Sequence, residues 1–231
     1  KISFTHLIGY ALVRAAVAHP TMTHTFLMAE GAPYRIPPDG VHLGIAVDIE
    51  RRDGSRGLVV PVIKQGESFD FAGFHRVYEG LVEKARTNKL MPDDFAGATV
   101  TLTNPGGLGT VASVPRLMTG QGTIIAVGAI GYPPEFSAMP VDQVKALGVS
   151  KVMMLTSTYD HRVIQGAESG EFLRTMERQL QGEDRFFEDI AGALGVSLGT
   201  PASQLAGRPR PDRPSAAIPM PTMPMTGWAV G

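Results

Sequence analysis

The sequence predicts a mixed α/β domain over residues 1–196, followed by a segment of a different kind over 197–231. Three observations carry this expectation. Helix-period and strand-period runs interleave through the first 196 residues, as they do when helices pack on a sheet. Two of the strand-like runs flank an Asp53-Gly54 turn signal, so the sheet holds at least one hairpin and is not purely parallel. Seven of the 18 prolines lie after residue 196, in a Met- and Pro-rich stretch with few charges beyond Arg213. Such a stretch cannot bury enough apolar surface to offset its ordering entropy, and it reads as a linker or disordered tail. Trp228, the single tryptophan, sits in it and reads as unstructured rather than as a docking anchor.

Taken in order, residues 2–18 carry Phe4, Leu7, Ile8, Ala11, Leu12 and Ala15 at helical spacing, and His19-Pro20 stops that helix. Residues 41–50 alternate, with Val41, Leu43, Ile45, Val47 and Ile49 on one side, which predicts a half-buried strand. Residues 57–63 are its hairpin partner, with Pro61 at an edge or bulge because proline has no N–H to donate. Ser68 is the expected N-cap of the next helix, whose apolar face runs through Phe74, Val77, Tyr78, Leu81, Val82 and Ala85. Strand-like runs follow at 98–103, 123–130 and 151–158. Helical patterns at 167–180 and 184–194 close the domain.

Composition removes several classes of function. With 43% apolar and 19% charged residues and a net charge of −1, the 231-residue chain has the make-up of a globular protein. Nothing in that charge suits it to nucleic acid or to an anionic membrane. No window approaches the roughly 20 apolar residues that span a bilayer, and the opening stretch does not look like a signal peptide. The absence of cysteine rules out disulfides, thiolate catalysis and Cys-ligated metal, and is compatible with a cytoplasmic location. A start at Lys1 reads as part of something longer.

Two stretches carry chemistry. Gly107 to Ala112 fits a G-x-G-x-x-A dinucleotide fingerprint, but Pro115 and Gly120 interrupt the helix it requires and no acidic residue ends the next strand. The glycines there read instead as places where the backbone turns sharply or approaches another chain closely. The histidines stand at 6, 19, 24, 42, 75 and 161. No two have i,i+3 or i,i+4 spacing and none has a carboxylate motif beside it, so no metal is expected. His161 differs from the rest: a strand delivers Asp160-His161-Arg162, and Gly166 and a helix follow. Thr103 ends another strand before a glycine turn. A base and a hydroxyl donor at two strand ends are two parts of acyl-transfer machinery. With no G-x-S-x-G elbow and no cysteine, the nucleophile belongs to a substrate.

Thr103-Asn104-Pro105-Gly106-Gly107-Leu108-Gly109 and Asp160-His161-Arg162-Val163-Ile164-Gln165-Gly166 resemble the signature segments of the 2-oxo acid dehydrogenase acyltransferases, relatives of chloramphenicol acetyltransferase. Gly44 to Val47 and Arg56 to Ile63 also fit, and the resemblance covers about residues 1–195. Val114 to Met118, Leu155 to His161 and Gln165 to Gly170 look closest to an actinobacterial 2-oxoglutarate dehydrogenase fusion. In that fusion a succinyltransferase-like domain precedes a decarboxylase domain using thiamine diphosphate and Mg.

The resemblance implies a two-layer α/β sandwich with a mixed sheet that forms a homotrimer with shared active sites. It implies transfer of succinyl from dihydrolipoamide to coenzyme A within a 2-oxoglutarate dehydrogenase complex of the tricarboxylic acid cycle. His161 is then the general base for the coenzyme A thiol, and Thr103 of an adjacent subunit the oxyanion donor. Asp160, Arg162, Gln165 and Asn104 are supporting residues. Gln165 stands where the family commonly has Asp or Asn, and it can hydrogen-bond but cannot form an ion pair. The implied partners are a lipoyl-bearing acyltransferase and dihydrolipoyl dehydrogenase; thiamine diphosphate and Mg enter only if a decarboxylase domain follows. Acetyl or branched-chain acyl transfer, or a trimeric scaffold with vestigial catalysis, are the alternatives.

Overall fold

A computed structural model describes residues 1–50 and 54–198. The expected tail, Trp228 included, lies from residue 199 onward outside the described residues. Five helices and nine strands occur among those described: α1 Phe4–Ala18, β1 Thr25–Ala29, β2 Ala32–Ile36, β3 Leu43–Ile45, β4 Val47–Glu50, β5 Arg56–Val59, β6 Val62–Ile63, α2 Phe71–Arg86, β7 Val100–Thr103, β8 Thr123–Val127, α3 Val141–Ala146, β9 Leu155–Tyr159, α4 Gly166–Leu180 and α5 Phe186–Ala193.

The main sheet has five strands in the order β6-β3-β7-β8-β9. β3, β7 and β8 run parallel, while β6 and β9 are antiparallel to their neighbours. The sheet is therefore mixed, as the sequence predicts. Its strands alternate across two faces. Leu43, Ile45, Val100, Leu102, Ile125 and Val127 enter one apolar core with Ile8 and Leu12 of α1, Phe71 and Phe74 of α2, Phe172 and Met176 of α4, and Phe186 of α5. That helical layer and the sheet make a two-layer sandwich. The opposite face, through Gly44, Thr101, Thr103, Ile124, Ala126, Thr156 and Thr158, is rich in threonine.

Several boundaries differ from expectation. The run 41–50 is two strands, because β3 joins the main sheet and β4 leaves it at Ala46 to pair with β5. The break is mirrored at Pro61, whose missing N–H ends β5 before β6 begins, while its carbonyl accepts from Ile45 N at 2.9 Å. Ser68 is not the N-cap of α2. Its hydroxyl turns back to the Gln65 carbonyl, and Asp70 caps instead, accepting from Gly73 N at 2.7 Å. Residues 151–154 are not strand apart from a single bridge at Val152, and β9 extends to Tyr159. The β1–β2 hairpin turns through Glu30 and Gly31, both at positive φ. It and α3 carry too little periodicity to be foreseen.

Candidate active site

β9 is antiparallel to β8 over five residue pairs, and Asp160 N extends the ladder to Gly122 O at 3.0 Å. The chain then turns tightly. Val163 N and Ile164 N both donate to Asp160 O, at 3.1 and 3.0 Å, and their apolar side chains are buried. His161 and Arg162 are left at the exposed tip. The Asp160 carboxylate accepts from Arg162 N at 3.0 Å and from its guanidinium Nε at 2.8 Å. The paired guanidinium, with the backbone N–H, holds the Asp160 carboxyl below the usual carboxylate range, although partial burial opposes this. Arg162 also lies 3.8 Å over the ring of Phe26, tying the β1–β2 hairpin to the turn. Asp160 and Arg162 thus fix the tip.

The His161 imidazole is exposed and makes no hydrogen bond among the described residues; its nearest aromatic contact is Tyr159, ring centroids 5.5 Å apart. Gln165 is the exposed N-cap residue of α4, and its N–H donates to Glu168 Oε2 at 2.7 Å. A cleft of about 260 Å³ opens beside the tip, lined by Thr25, Phe26, Leu117 to Gln121, Asp160 and Arg162.

Thr103 is the last residue of β7. Asn104 anchors the turn after it: Nδ2 donates to Thr5 Oγ1 of α1 at 2.9 Å, and Oδ1 accepts from Gly106 N at 3.1 Å. Gly106 lies against the Gly128 carbonyl so closely that a Cβ would collide with it. The glycine-rich segment is a single 3₁₀ turn closed by left-handed Gly109, with no helix after it, so the dinucleotide fingerprint fails. The close approach is to this chain's own β8 exit. The Thr103 hydroxyl is half-buried and makes no hydrogen bond among the described residues.

Strand direction decides how these two groups relate. Thr103 is in register with Ala126, and Ala126 with Thr156 at the start of β9. His161 follows the other end of β9, beyond the Tyr159–Thr123 pair. Five residues of strand and two strand spacings separate them, roughly 17 Å along and 10 Å across the sheet, or about 20 Å in all. Both groups are at the C-terminal ends of their strands, yet β9 runs backwards, so those ends are opposite edges of the sheet. One chain does not bring them together.

Sequence reasoning also missed a cluster. His6, His75 and Glu79 converge, their ligand atoms within 4.8 Å of one another. The signal in the sequence is His75 and Glu79 at i,i+4 on α2, against the expectation of no carboxylate beside a histidine; His6 joins them only through the packing of α1 on α2. Of the other histidines, His19 bonds Thr175, His24 accepts from Arg35, and His42 bridges Asp39 and Gln65 N.

These features define a two-layer acyltransferase fold, and comparison with known proteins agrees. The family profile of the 2-oxoacid dehydrogenases acyltransferase (catalytic domain) matches residues 1–187, and the chain belongs to that family. It is 53% identical over 196 residues to the Corynebacterium glutamicum 2-oxoglutarate dehydrogenase E1/E2 component, covering 85% of this chain and 16% of the relative. It is 50% identical, over the same share of its length, to a multifunctional 2-oxoglutarate metabolism enzyme of Mycobacterium sp. (strain JLS), covering 15% of it. The chain thus spans about one-sixth of these curated relatives. Among solved structures, Azotobacter vinelandii dihydrolipoamide acetyltransferase, studied for the catalytic roles of a serine, a histidine and an asparagine, matches with TM-score 0.64 and 27% identity over 84% of this chain and 72% of that one. The cubic core of a pyruvate dehydrogenase multienzyme complex matches with the same TM-score, identity and coverage.

Proposed function

We propose that the chain transfers a succinyl group from dihydrolipoamide to coenzyme A, at sites assembled between neighbouring chains of a homotrimer. The observation that carries this reading is the pair of unpartnered groups, His161 and Thr103, at opposite edges of one sheet. Each is presented outward at a fixed turn. A second copy whose Thr103 edge meets the His161 edge completes the site.

In that site the imidazole of His161 takes the proton of the coenzyme A thiol. A thiol of pKa near ~8.5 is only a few per cent ionised at neutral pH, so a base within reach accelerates attack by on the order of 10²–10⁴-fold. The thiolate adds to the thioester carbonyl, and the Thr103 hydroxyl donates to the oxyanion that forms. Collapse breaks the bond to the dihydrolipoyl sulfur, which leaves with the proton His161 had taken. Succinyl-coenzyme A and dihydrolipoamide result, and His161 is again neutral. The A. vinelandii acetyltransferase supports the assignment: of the serine, histidine and asparagine studied there, the asparagine stands four residues after the histidine, as Gln165 stands four after His161 here.

The 50–53% relatives are named for 2-oxoglutarate, which favours succinyl. The acetyltransferase neighbours support acetyl transfer as a second reading. The lipoyl group would come from a lipoyl-bearing acyltransferase, with dihydrolipoyl dehydrogenase to reoxidise it, in the cytoplasm. No helix among the described residues is long and apolar enough to cross a membrane. The test is transfer to coenzyme A from succinyl- and acetyl-dihydrolipoamide in parallel. Faster succinyl turnover supports the reading; faster acetyl turnover selects the second; no turnover, with intact trimers, leaves a scaffold and overturns it.

A further inference from the structure

We infer that His6, His75 and Glu79 form a binding site for a divalent transition metal, zinc being the best match, between the first turn of α1 and the face of α2. The donors are two imidazoles and a carboxylate, a borderline set that suits Zn²⁺, Ni²⁺ and Cu²⁺ rather than Mg²⁺ or Ca²⁺. Their backbone is already fixed. His75 and Glu79 stand one helical turn apart on α2, and His6 projects from α1 with its Nε2 2.8 Å from Glu79 Oε1. All three ligand atoms lie within 4.8 Å, and a tetrahedral zinc site needs them about 3.3 Å apart at bonds of ~2.0–2.1 Å. Small side-chain rotations close that gap.

An independent observation points the same way. His75 Nε2 is buried and has no hydrogen-bond partner. A lone pair or N–H hidden from water is normally satisfied, and a metal satisfies this one. The His6 ring packs edge-on against both the His75 and Tyr78 rings, with centroids 4.5 Å apart in each case.

Loading the site moves one proton within the ring. As the structure stands, Ser3 N donates to His6 Nδ1 at 3.0 Å, which leaves the ring proton on Nε2, facing Glu79. With metal on Nε2 the proton would have to move to Nδ1, where Ser3 Oγ, 3.1 Å away, can accept it while Ser3 N gives up its bond. Glu79 exchanges a hydrogen bond for a metal bond. Its side chain is about half exposed, at 53%, which leaves a coordination position open to water. The metal would fasten the first turn of α1 to α2. Thr5 in that turn is the residue that holds Asn104 beside Thr103, so the fastening is one residue from a support of the proposed oxyanion donor.

The test is zinc binding to the full chain, by competition with a chromogenic chelator, together with Co²⁺ substitution read by its visible ligand-field bands. About one zinc per chain is expected, with thermal stabilisation and Co²⁺ bands typical of four- or five-coordination. His75→Ala should lower the affinity by more than the roughly 10–100-fold seen when only a ligand's supporting partner is lost. Glu79→Gln, at an exposed position, is the second variant should the first misfold. Absence of competition by the chain, or zinc affinity unchanged in both variants, would overturn the inference. His161→Ala should leave it untouched, which separates this site from metal picked up at the catalytic histidine.

Discussion

At the scale of the residue, the proposed mechanism puts the chemistry on His161 and Thr103 and the geometry on their neighbours. His161 is exposed and bonds nothing in its own chain, so His161→Ala should leave the melting temperature almost unchanged while transfer falls by about 10²–10⁴-fold. Steady-state rates beside a thermal melt check both halves. Thr103→Ala should lower kcat by about 10²–10³-fold with little effect on KM, because the hydroxyl acts on the oxyanion and not on the bound substrate. Asp160 is different: its role is structural and depends on pH. Its carboxyl is depressed in the folded chain by Arg162. The stability this supplies is complete above the ordinary carboxylate pKa of ~3.9 and is lost as pH falls through the lower folded value. The gap in melting temperature between the parent chain and Asp160→Asn should therefore be constant from about pH 5 to 7 and narrow below about pH 4.

At the scale of the element, caps and breaks decide what was legible. Helices α1, α2, α4 and α5 were readable because each lays a helix-period stripe into one core. Their ends were less so, since a cap depends on which side chain folds back: Asp70 does so and Ser68 does not. Replacing Asp70 by Ala should cost about 1 kcal/mol, or roughly 2–4 °C for a chain of this size, in a thermal melt. Alternation in 41–50 announced a strand but could not announce that it changes sheets at Ala46, where β3 turns to β7 and β4 to β5. The glycines after β7 were legible as a turn and a close approach, but the backbone that Gly106 meets is this chain's own at Gly128 and not another chain's. Gly106→Ala should displace the turn carrying Asn104, and with it Thr103, and so lower turnover more than it lowers stability.

At the scale of the whole molecule, the two motifs offer a base and a hydroxyl donor, and only the resemblance, not the pattern of residues, set them on adjacent subunits. Periodicity gives no strand direction, and the reversal of β9 is fixed only by its register with β8. The trimeric reading makes a sharp prediction. His161→Ala and Thr103→Ala oligomers, each inactive alone, should regain activity when dissociated together and reassembled. At equal mixing about a quarter of the sites draw an intact His161 from one chain and an intact Thr103 from its neighbour. A site within one chain would regain none. The same reversal bears on the life of the chain before assembly. Under the trimeric reading, a newly made monomer would hold a base at one edge and a donor at the other, and could not discharge the thioesters it meets to water. The direction of one five-residue strand would then shield activated acyl groups from half-built enzyme.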